Sequence, residues 1–275
     1  MSATVTNSSL ADCVLKTSRA YFAEDLILLP LLLVASGRQP GSFVEIGAFD
    51  GLAFSNTFML ERCLAWRGEL IEASSRNFQK LLRSGRTAHF IRSAVCAGVG
   101  TVNMTTKGVY PFVNGVPSEM ALTFAERWHP GERMGRVETV PCESLTRLIH
   151  RARGPHGERS TTFLSIDVEG GEETVLANAD ISSFKVVMVE TDGTNRVKEA
   201  TIHSRLLASG LIKSRVRVRG SRVYVKPELD AALPHPPRSC ASLPLWHKSS
   251  CVTATVRTFL STYRIAGAEH GLGLA

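Results

Sequence analysis

Acidic side chains follow three apolar runs of this sequence. Asp167 and Glu169 end the run TFLSIDVEGG, Glu190 and Asp192 end FKVVMVETD, and Glu72 ends GELIEAS. Carboxylates accept hydrogen bonds from hydroxyl groups and can take up protons. Because the carboxyl ends of parallel strands meet at one edge of a sheet, these acids are predicted to gather in one crevice, where such folds bind their ligands.

The segment GSFVEIGAFDG, residues 41–51, is predicted to be a buried strand that ends in a ligand-holding turn. Gly47 allows the backbone to turn sharply, and Gly51 allows the next helix to pack close to the strand. That helix is predicted over residues 52–66, where apolar residues recur near helical spacing. Its N-terminal amides would then face the same crevice.

Three residues in and after this turn narrow the class of ligand. Phe49 stands where dinucleotide-binding turns carry their middle glycine, so a diphosphate could not approach the backbone there. Glu45 lies inside the strand, and a ligand with a charged amino acid end and no phosphate does not need that approach. Glu72 comes 21 residues after Gly51 and is placed to accept hydrogen bonds from ribose hydroxyls. The arrangement favours S-adenosylmethionine over NAD.

Strand-like and helix-like segments alternate between residues 42 and 226. This alternation predicts an α/β fold, a doubly wound sheet with helices on both faces. The predicted strands are 42–46, 69–72, 88–96, 101–105, 137–141, 162–167, 184–192 and a pair within 211–226. After the helix at 52–66, the predicted helices are 74–84, 143–151, 172–178 and 196–209.

The sequence predicts one main domain, with a segment before it and a segment after it that do not follow this alternation. Residues 1–40 are predicted to be an N-terminal helical segment, residues 41–226 the main domain, and residues 227–275 a proline-rich, loosely ordered tail. Residues 107–136 match neither the helix nor the strand period and form an insertion, either a substrate lid or a surface excursion with its own small core. The apolar residues of this insertion are Tyr110, Phe112, Trp128 and Met134.

Composition argues against several kinds of protein. A sequence of 275 residues with a net charge of +7 suits one large domain, and nucleic acid is not an expected partner. The six cysteines form no CxxC pair and the start carries no secretory signal, so reduced thiols and a cytoplasmic location are expected. The scattered histidines predict no zinc site. The run LILLPLLLVA, residues 26–35, is shorter than the about 20 residues that span a bilayer and is predicted to be a buried helix pair.

Five segments, taken in order, resemble the FkbM-type methyltransferases, a branch of the Rossmann-like enzymes that use S-adenosylmethionine. These segments are VEIGAFDG, IEAS, VETVPCESLTRLI, FLSIDVEGGEETVL and VVMVET, of which SIDVEGGE is the most specific. The resemblance covers about residues 41–226. It implies a class I methyltransferase sheet of seven strands, mostly parallel with an antiparallel last pair. It also implies methyl transfer to a hydroxyl on a sugar, polyketide or similar small molecule.

The resemblance also assigns site residues by position. The turn from Glu45 to Gly51, with Gly47, Ala48, Phe49 and Asp50, would hold the methionine end of the cofactor. Glu72 and Ala73 would hold the ribose, and Ser93 and Ala94 would lie near the adenine. Asp167 and Glu169 would sit at the reacting centre. Many members of the family carry a histidine where this sequence has Gly171, so a proton-transfer role for that histidine is ruled out here.

Methyl transfer to a hydroxyl requires in-line positioning and a base within hydrogen-bond reach. Asp167, Glu169 and Glu190 are the candidate bases. Two other interpretations stay open: Asp167 also suits a cap of the following helix, and Asp167, Glu190 and Asp192 suit a divalent cation. The resemblance does not require a metal, and none is predicted.

Two functions outside methyl transfer also stay open. One is a Rossmann protein that binds NAD or another nucleotide through the same turn. The other is an inactive methyltransferase fold that serves as an interaction module. Its contact surface would be the alternating basic residues between Lys213 and Arg222, which are also typical of the solvated face of a hairpin.

Overall fold

The computed structural model describes residues 7–105, 114–120, 137–154, 160–191, 193, 195–232 and 250–262. Its strands are β1 (Ser42–Ile46), β2 (Arg67–Glu72), β3 (His89–Arg92), β4 (Ala94–Val95), β5 (Val99–Thr105), β6 (Val137–Glu143), β7 (Thr161–Ile166), β8 (Phe184–Glu190), β9 (Ile212–Lys213) and β10 (Ser221–Val225). Its helices are α1 (Asn7–Thr17), α2 (Glu24–Ala35), α3 (Phe58–Leu64), α4 (Ser75–Leu81), α5 (Leu145–Arg153), α6 (Glu172–Ala177), α7 (Arg196–Ala208), α8 (Pro227–Ala232) and α9 (Ser250–Thr262), with a 3₁₀ turn at Ile181–Ser183.

A seven-stranded sheet in the order β3-β2-β1-β7-β8-β10-β9 forms the centre of the fold. Strands β3, β2, β1, β7 and β8 pair in parallel, and β10 is antiparallel to both of its neighbours. This is the predicted seven-stranded sheet with an antiparallel end. Successive residues of one strand face opposite sides, so Phe43 belongs to the apolar core on one face and Val44 to the core on the other. Helices cover both faces, as predicted.

The third predicted strand, residues 88–96, divides in two. Strand β3 stays in the main sheet, whereas β4 leaves it and pairs with β6. Together with β5, these strands form a small second sheet in the order β4-β6-β5. Ser93 lies between β3 and β4, at the point where the backbone passes from one sheet to the other.

The most apolar run forms one helix rather than the predicted pair. Helix α2 continues through Pro30, although proline lacks the amide hydrogen for one helical bond. Leucines on all sides of α2 are buried, so tertiary packing offsets the cost of the proline. No helix in the described ranges is long and apolar enough to cross a membrane.

The segment after Lys226 does not pack as loosely as predicted. Helix α9 lies against α1 and α2, and its Val256 and Leu260 are buried in the core that α1 and α2 share with the sheet. The prediction treated the domain as complete at its last strand and did not consider the apolar outer surface of the N-terminal helices. Residues 233–249, which hold four of the five prolines that follow Lys226, lie outside the described residues.

Four cysteines form disulfides, which corrects the expectation of reduced thiols. Cys13 bonds to Cys63 and ties α1 to α3, and Cys96 bonds to Cys142 and ties the end of β4 to β6. The Cα–Cα distances are 5.9 and 5.7 Å, within the range of ordinary disulfides. Spacing alone could not reveal these pairs, because 50 and 46 residues separate their members. Since disulfides persist mainly in oxidising compartments, the cysteines no longer argue for a cytoplasmic location.

Candidate active site

A crevice opens at the carboxyl ends of β1, β2 and β7. Most of the site residues predicted from the sequence line it: Glu45, Gly47, Ala48, Phe49, Glu72, Ala73, Ser93, Ala94, Asp167 and Glu169. Asp50, Gly51 and Glu190 are not among the residues that line it. Glu72, Asp167 and Glu169, at the ends of β2 and β7, therefore line one crevice, as the sequence predicted for these three acids.

Asp50 and Gly51 shape the turn and do not line the crevice. The Asp50 carboxylate accepts hydrogen bonds from the backbone amides of Leu52 and Ala53, at 2.9 and 2.8 Å. Gly51 has a φ of +78°, and a Cβ at this position would lie 2.5 Å from the Leu81 side chain on α4. The positive φ favours glycine at this position, and the element that packs close to Gly51 is α4 rather than the following helix that the sequence predicted.

The helix predicted over residues 52–66 begins only at Phe58, and the loop residues 53–56 before it line the crevice. The Glu45 carboxylate explains the difference. It is buried and accepts hydrogen bonds from the Ser55 hydroxyl and the Asn56 backbone amide, both at 2.8 Å, and from the Thr57 hydroxyl. Satisfying a buried carboxylate in this way holds the backbone in a loop that curls back to β1.

Arg86 completes the same network from the other side, and sequence reasoning did not find it. Its guanidinium is fully buried and donates to the Gly51 carbonyl, to the Ser55 and Thr57 hydroxyls and to the Glu61 carboxylate. A buried arginine is stable only with such partners. The network fixes the loop that forms one wall of the crevice.

Gly47 lies where β1 and β7 come closest. Its φ is +82°, and a Cβ there would lie 1.7 Å from the Asp167 carbonyl oxygen. The backbone of Asp167 in turn donates to the Ile46 carbonyl at 3.1 Å. A side chain at position 47 would therefore collide with the backbone at the end of β7, whether or not a ligand fills the crevice.

Glu72 is buried at the end of β2, with its carboxylate on the crevice wall. It accepts hydrogen bonds from the backbone amides of Phe49 and Ser74, both at 2.8 Å. Burial raises the pKa of Glu72 to about 7, although these hydrogen bonds act to lower it. The carboxylate is thus held rigidly and retains acceptor capacity towards the crevice.

Asp167 and Glu190 stand at the ends of the adjacent strands β7 and β8, and their carboxyl groups hydrogen-bond to each other. Solvent reaches Asp167 through the open crevice, but protein surrounds it on its other sides, and this burial raises its pKa to about 6. Burial also raises the pKa of Glu190 well above its ordinary value, and the charge of Asp167 adds to the effect. Their hydrogen bond lowers the pKa of Asp167 and raises that of Glu190, so Glu190 is the donor and Asp167 the acceptor.

Glu169 joins this pair, because carboxyl oxygens of Asp167, Glu169 and Glu190 all lie within 4.8 Å of one another. Asp167 does not cap the following helix, since α6 begins after Gly171 without a side-chain cap. The hydrogen bonds of Asp167 therefore favour a role in the crevice over the capping role. Asp192, the third acid of the metal alternative, lies outside the described residues.

The model of the methyltransferase FkbM domain matches residues 45–210. The chain belongs to the FkbM methyltransferase family. No curated protein matches it. The matched region starts at the Glu45 loop and runs past α7, so the FkbM domain contains Glu72, Asp167 and Glu190 but neither α1 and α2 nor α9.

Solved structures of similar fold include three methyltransferases. An FkbM methyltransferase from Methylobacillus flagellatus KT is 14% identical over 68% of this chain and 43% of its own, with a TM-score of 0.41. The precorrin-6y C5,15-methyltransferase from Geobacter metallireducens GS-15 is 9% identical over 70% and 85%, with a TM-score of 0.32. An O-methyltransferase family protein from Burkholderia thailandensis is 9% identical over 80% and 58%, with a TM-score of 0.35. The chain spans less than half the length of the first of these proteins.

Within the FkbM domain, Glu119 occupies the space beside Gly171. A Cβ on Gly171 would lie 2.8 Å from the Glu119 carboxylate, which accepts a hydrogen bond from the Thr174 hydroxyl at 2.7 Å. Glu119 lines the crevice, and burial raises its pKa. It belongs to the insertion, whose apolar residues Tyr110, Phe112, Trp128 and Met134 lie outside the described residues.

Asn56 is a second lining residue that sequence reasoning missed. Its side chain is buried, and its amide nitrogen donates to the Ser165 hydroxyl at 3.1 Å. Its amide oxygen has no hydrogen-bond partner in the described structure. Buried polar atoms are nearly always paired, so this oxygen indicates a place for a donor from a ligand. The polar run SNT inside an apolar segment was the signal in the sequence.

Proposed function

We propose that the protein is an S-adenosylmethionine-dependent O-methyltransferase that acts on a hydroxyl group of a small molecule. The observation that carries the proposal is the Asp167–Glu190 pair, whose Asp167 lines the same crevice as Glu72. Glu72 on the crevice wall suits the hydroxyl groups of a ribose. An ionised Asp167 at the end of β7 suits an acceptor hydroxyl that must lose its proton.

The residues of the crevice fit the cofactor at three points. The unpaired amide oxygen of Asn56 would accept a hydrogen bond from the ammonium of the methionine end. The Glu72 carboxylate would accept hydrogen bonds from the ribose hydroxyls. Ser93 and Ala94, at the junction of β3 and β4, would lie near the adenine.

The residues at the reacting centre act on the acceptor. When bound, the cofactor supplies an electrophilic methyl group on a sulfonium. Asp167 would orient the acceptor hydroxyl and receive its proton as the oxygen–carbon bond forms. Glu190 would donate a hydrogen bond to the Asp167 carboxylate, which lowers the pKa of Asp167 and favours its ionised form. This account uses no metal, because the proton held between the two carboxyls already reduces their mutual repulsion.

The test measures binding and turnover separately. Calorimetric titration with S-adenosylhomocysteine should show saturable binding, and the same titration with NAD should not. Transfer of a labelled methyl group to a panel of hydroxylated small molecules should then proceed equally with EDTA and with added Mg²⁺. Preference for NAD would reject the proposal. Binding without any transfer would favour the interaction module, and loss of transfer in EDTA would require the metal.

A further inference from the structure

Three aromatic side chains form a corner at the surface, which we name the aromatic corner (Tyr21, Phe22 and Phe54). The Tyr21 ring packs edge-on against Phe22 and Phe54, with centroid distances of 4.6 and 5.4 Å. Tyr21 is 69% exposed and Phe54 is 42% exposed. Large apolar side chains that are clustered at a surface and rimmed by polar groups mark binding sites.

The backbone holds the aromatic corner in place. Phe54 has a φ of +63°, and Ala23, directly after Phe22, has a φ of +61°. Such conformations are costly for residues other than glycine and concentrate at functional sites. On its other side, Phe22 lies against Gly220 and under the Arg219 guanidinium, 4.6 Å from the ring centroid. The rings are thus fixed to the connection that leads into β10.

The aromatic corner borders the proposed reacting centre. Phe54 is part of the crevice wall, together with Asp167 and Glu169. Gly220, which Phe22 contacts, accepts a hydrogen bond at 2.8 Å from the backbone amide of Thr191, the residue after Glu190. Phe54 therefore lines the same crevice as two of the three clustered carboxyl groups, and Phe22 contacts a glycine that is hydrogen-bonded to the residue next to the third.

We propose that the aromatic corner is the acceptor subsite and that it binds a polyhydroxylated ring of the pyranoside type. Aromatic faces pack against the flat C–H face of such a ring, whose hydroxyl groups project from its edge. Several neighbouring carboxylates require several hydroxyl donors, which a pyranoside offers and a simple phenol does not. This inference rests on the proposed function, and it assigns specificity to residues 21 and 22, which lie outside the matched FkbM domain.

The test uses the full-length protein with methyl β-D-glucopyranoside as the probe, in the presence of S-adenosylhomocysteine. Saturation-transfer NMR should show the strongest signals on the C–H face of the ring. Tyr21→Ala and Phe54→Ala should each weaken probe binding at least fivefold, whereas Tyr21→Phe should bind normally. Leu207→Ala is the matched control, because Leu207 on α7 is 44% exposed and does not line the crevice.

Two further probes make the outcome decisive. Sorbitol, an acyclic polyol, offers hydroxyls without a flat face and should bind much more weakly. Equal binding of sorbitol, no probe binding by the wild type, or undiminished binding in both alanine variants would overturn the inference. Phenol binding that depends on Tyr21 and exceeds pyranoside binding would assign the subsite to planar aromatic acceptors instead.

Binding of S-adenosylhomocysteine separates this inference from the proposed function. Tyr21→Ala should bind it with wild-type affinity, which also shows that this variant is folded, because Tyr21 does not line the crevice. Phe54→Ala, whose side chain lines the crevice, is checked for folding by its midpoint of urea denaturation instead. If the wild type fails to bind it but still holds the pyranoside through Tyr21, the proposed function fails and the subsite stands. If it binds and the pyranoside does not, the subsite alone fails.

Discussion

Glu190 donates a hydrogen bond to Asp167 from the end of the neighbouring strand, and the two carboxyl groups together hold one proton. Isolated in the same crevice, each acid would be driven by burial to hold its own proton. The pair instead leaves Asp167 with a pKa of about 6, low enough to be ionised at neutral pH and high enough to accept a proton.

Replacing Asp167 by asparagine should abolish the base and leave the cofactor in place. Asp167→Asn should lower the rate of methyl transfer by a factor of about 10² to 10⁴, the range for general-base catalysis, while the affinity for S-adenosylhomocysteine changes little. The wild-type rate should fall below pH 6, because Asp167 is then protonated. Full activity in this variant, or a rate unaffected by pH between 5 and 7, would remove Asp167 as the base.

Glu190 provides a separate check on the same pair. Glu190→Gln keeps a donor to Asp167, so the inflection of the pH–rate profile should stay near pH 6. Glu190→Ala removes the hydrogen bond that lowers the pKa of Asp167, so the inflection should move to higher pH. An inflection that moves downward in Glu190→Ala would contradict the assignment of the proton to Glu190.

Glu72→Ala should weaken binding of S-adenosylmethionine by about 1 to 3 kcal/mol, the range for charge-assisted hydrogen bonds to a sugar. Calorimetric titration of S-adenosylhomocysteine measures this without turnover. Gln79→Ala is a suitable control, because Gln79 is exposed on the nearby helix α4. Unchanged affinity in Glu72→Ala would exclude Glu72 from the ribose site.

Gly47→Ala should destabilise the fold itself, because even a methyl group would overlap the Asp167 carbonyl oxygen. The expected result is loss of cooperative unfolding, or a large drop in the midpoint of urea denaturation. Gly98→Ala is the control, since a Cβ there meets open space. A Gly47→Ala protein of normal stability that has lost only cofactor binding would show that Gly47 is needed only for the ligand.

The buried Glu24 should make stability fall as the pH rises. Burial raises its pKa from 4.5 to about 7, so the folded protein keeps a proton that the unfolded protein releases between these values. The resulting loss of stability grows between pH 4.5 and about pH 7 and is complete above pH 7. Glu24→Gln cannot ionise, so relative to the wild type it should gain about 2 to 3 kcal/mol in unfolding free energy between pH 4 and pH 8. Urea denaturation at both pH values measures this gain, and a constant difference would contradict it.

Helix α9 should contribute to global stability. Leu260 is fully buried against α1 and α2, so Leu260→Ala should lower the unfolding free energy by about 2 to 5 kcal/mol. Arg257 on the same helix forms an exposed ion pair with Asp12, and Arg257→Ala should cost less than about 1 kcal/mol. Truncation after Lys226 should leave a protein that aggregates. A stable truncated protein would instead support the prediction that residues 227–275 pack loosely.

The central sheet and the meeting of its acids were predictable from sequence, for a physical reason. Parallel strands buried on both faces read as apolar runs, and their ends share one edge, so the positions of Glu72 and Asp167 followed from the pattern alone. Contacts between side chains without periodic spacing were not predictable. Arg86 reaches the Gly51 carbonyl 35 residues away, and the loop that Glu45 stabilises replaced a helix that the apolar spacing favoured.

Long-range pairs were missed for the same reason. Neither disulfide has a spacing that distinguishes it from free cysteines. Helix α9 buries Val256 and Leu260, but the surface that covers them is built by helices α1 and α2, which are distant in the sequence. The aromatic corner likewise joins Tyr21 to Phe54, residues that belong to no common pattern.

The packing of α9 on α1 has a consequence for biosynthesis. Asp12 and Arg257, which pair across this contact, are 245 residues apart, so α1 leaves the ribosome long before α9 is made. Until then Val14 and the buried leucines of α2 lack part of their cover. Domains usually fold from the N-terminus during synthesis, but here the helical layer over the sheet can close only after α9 has emerged. The nascent polypeptide therefore exposes an apolar surface that a chaperone can bind.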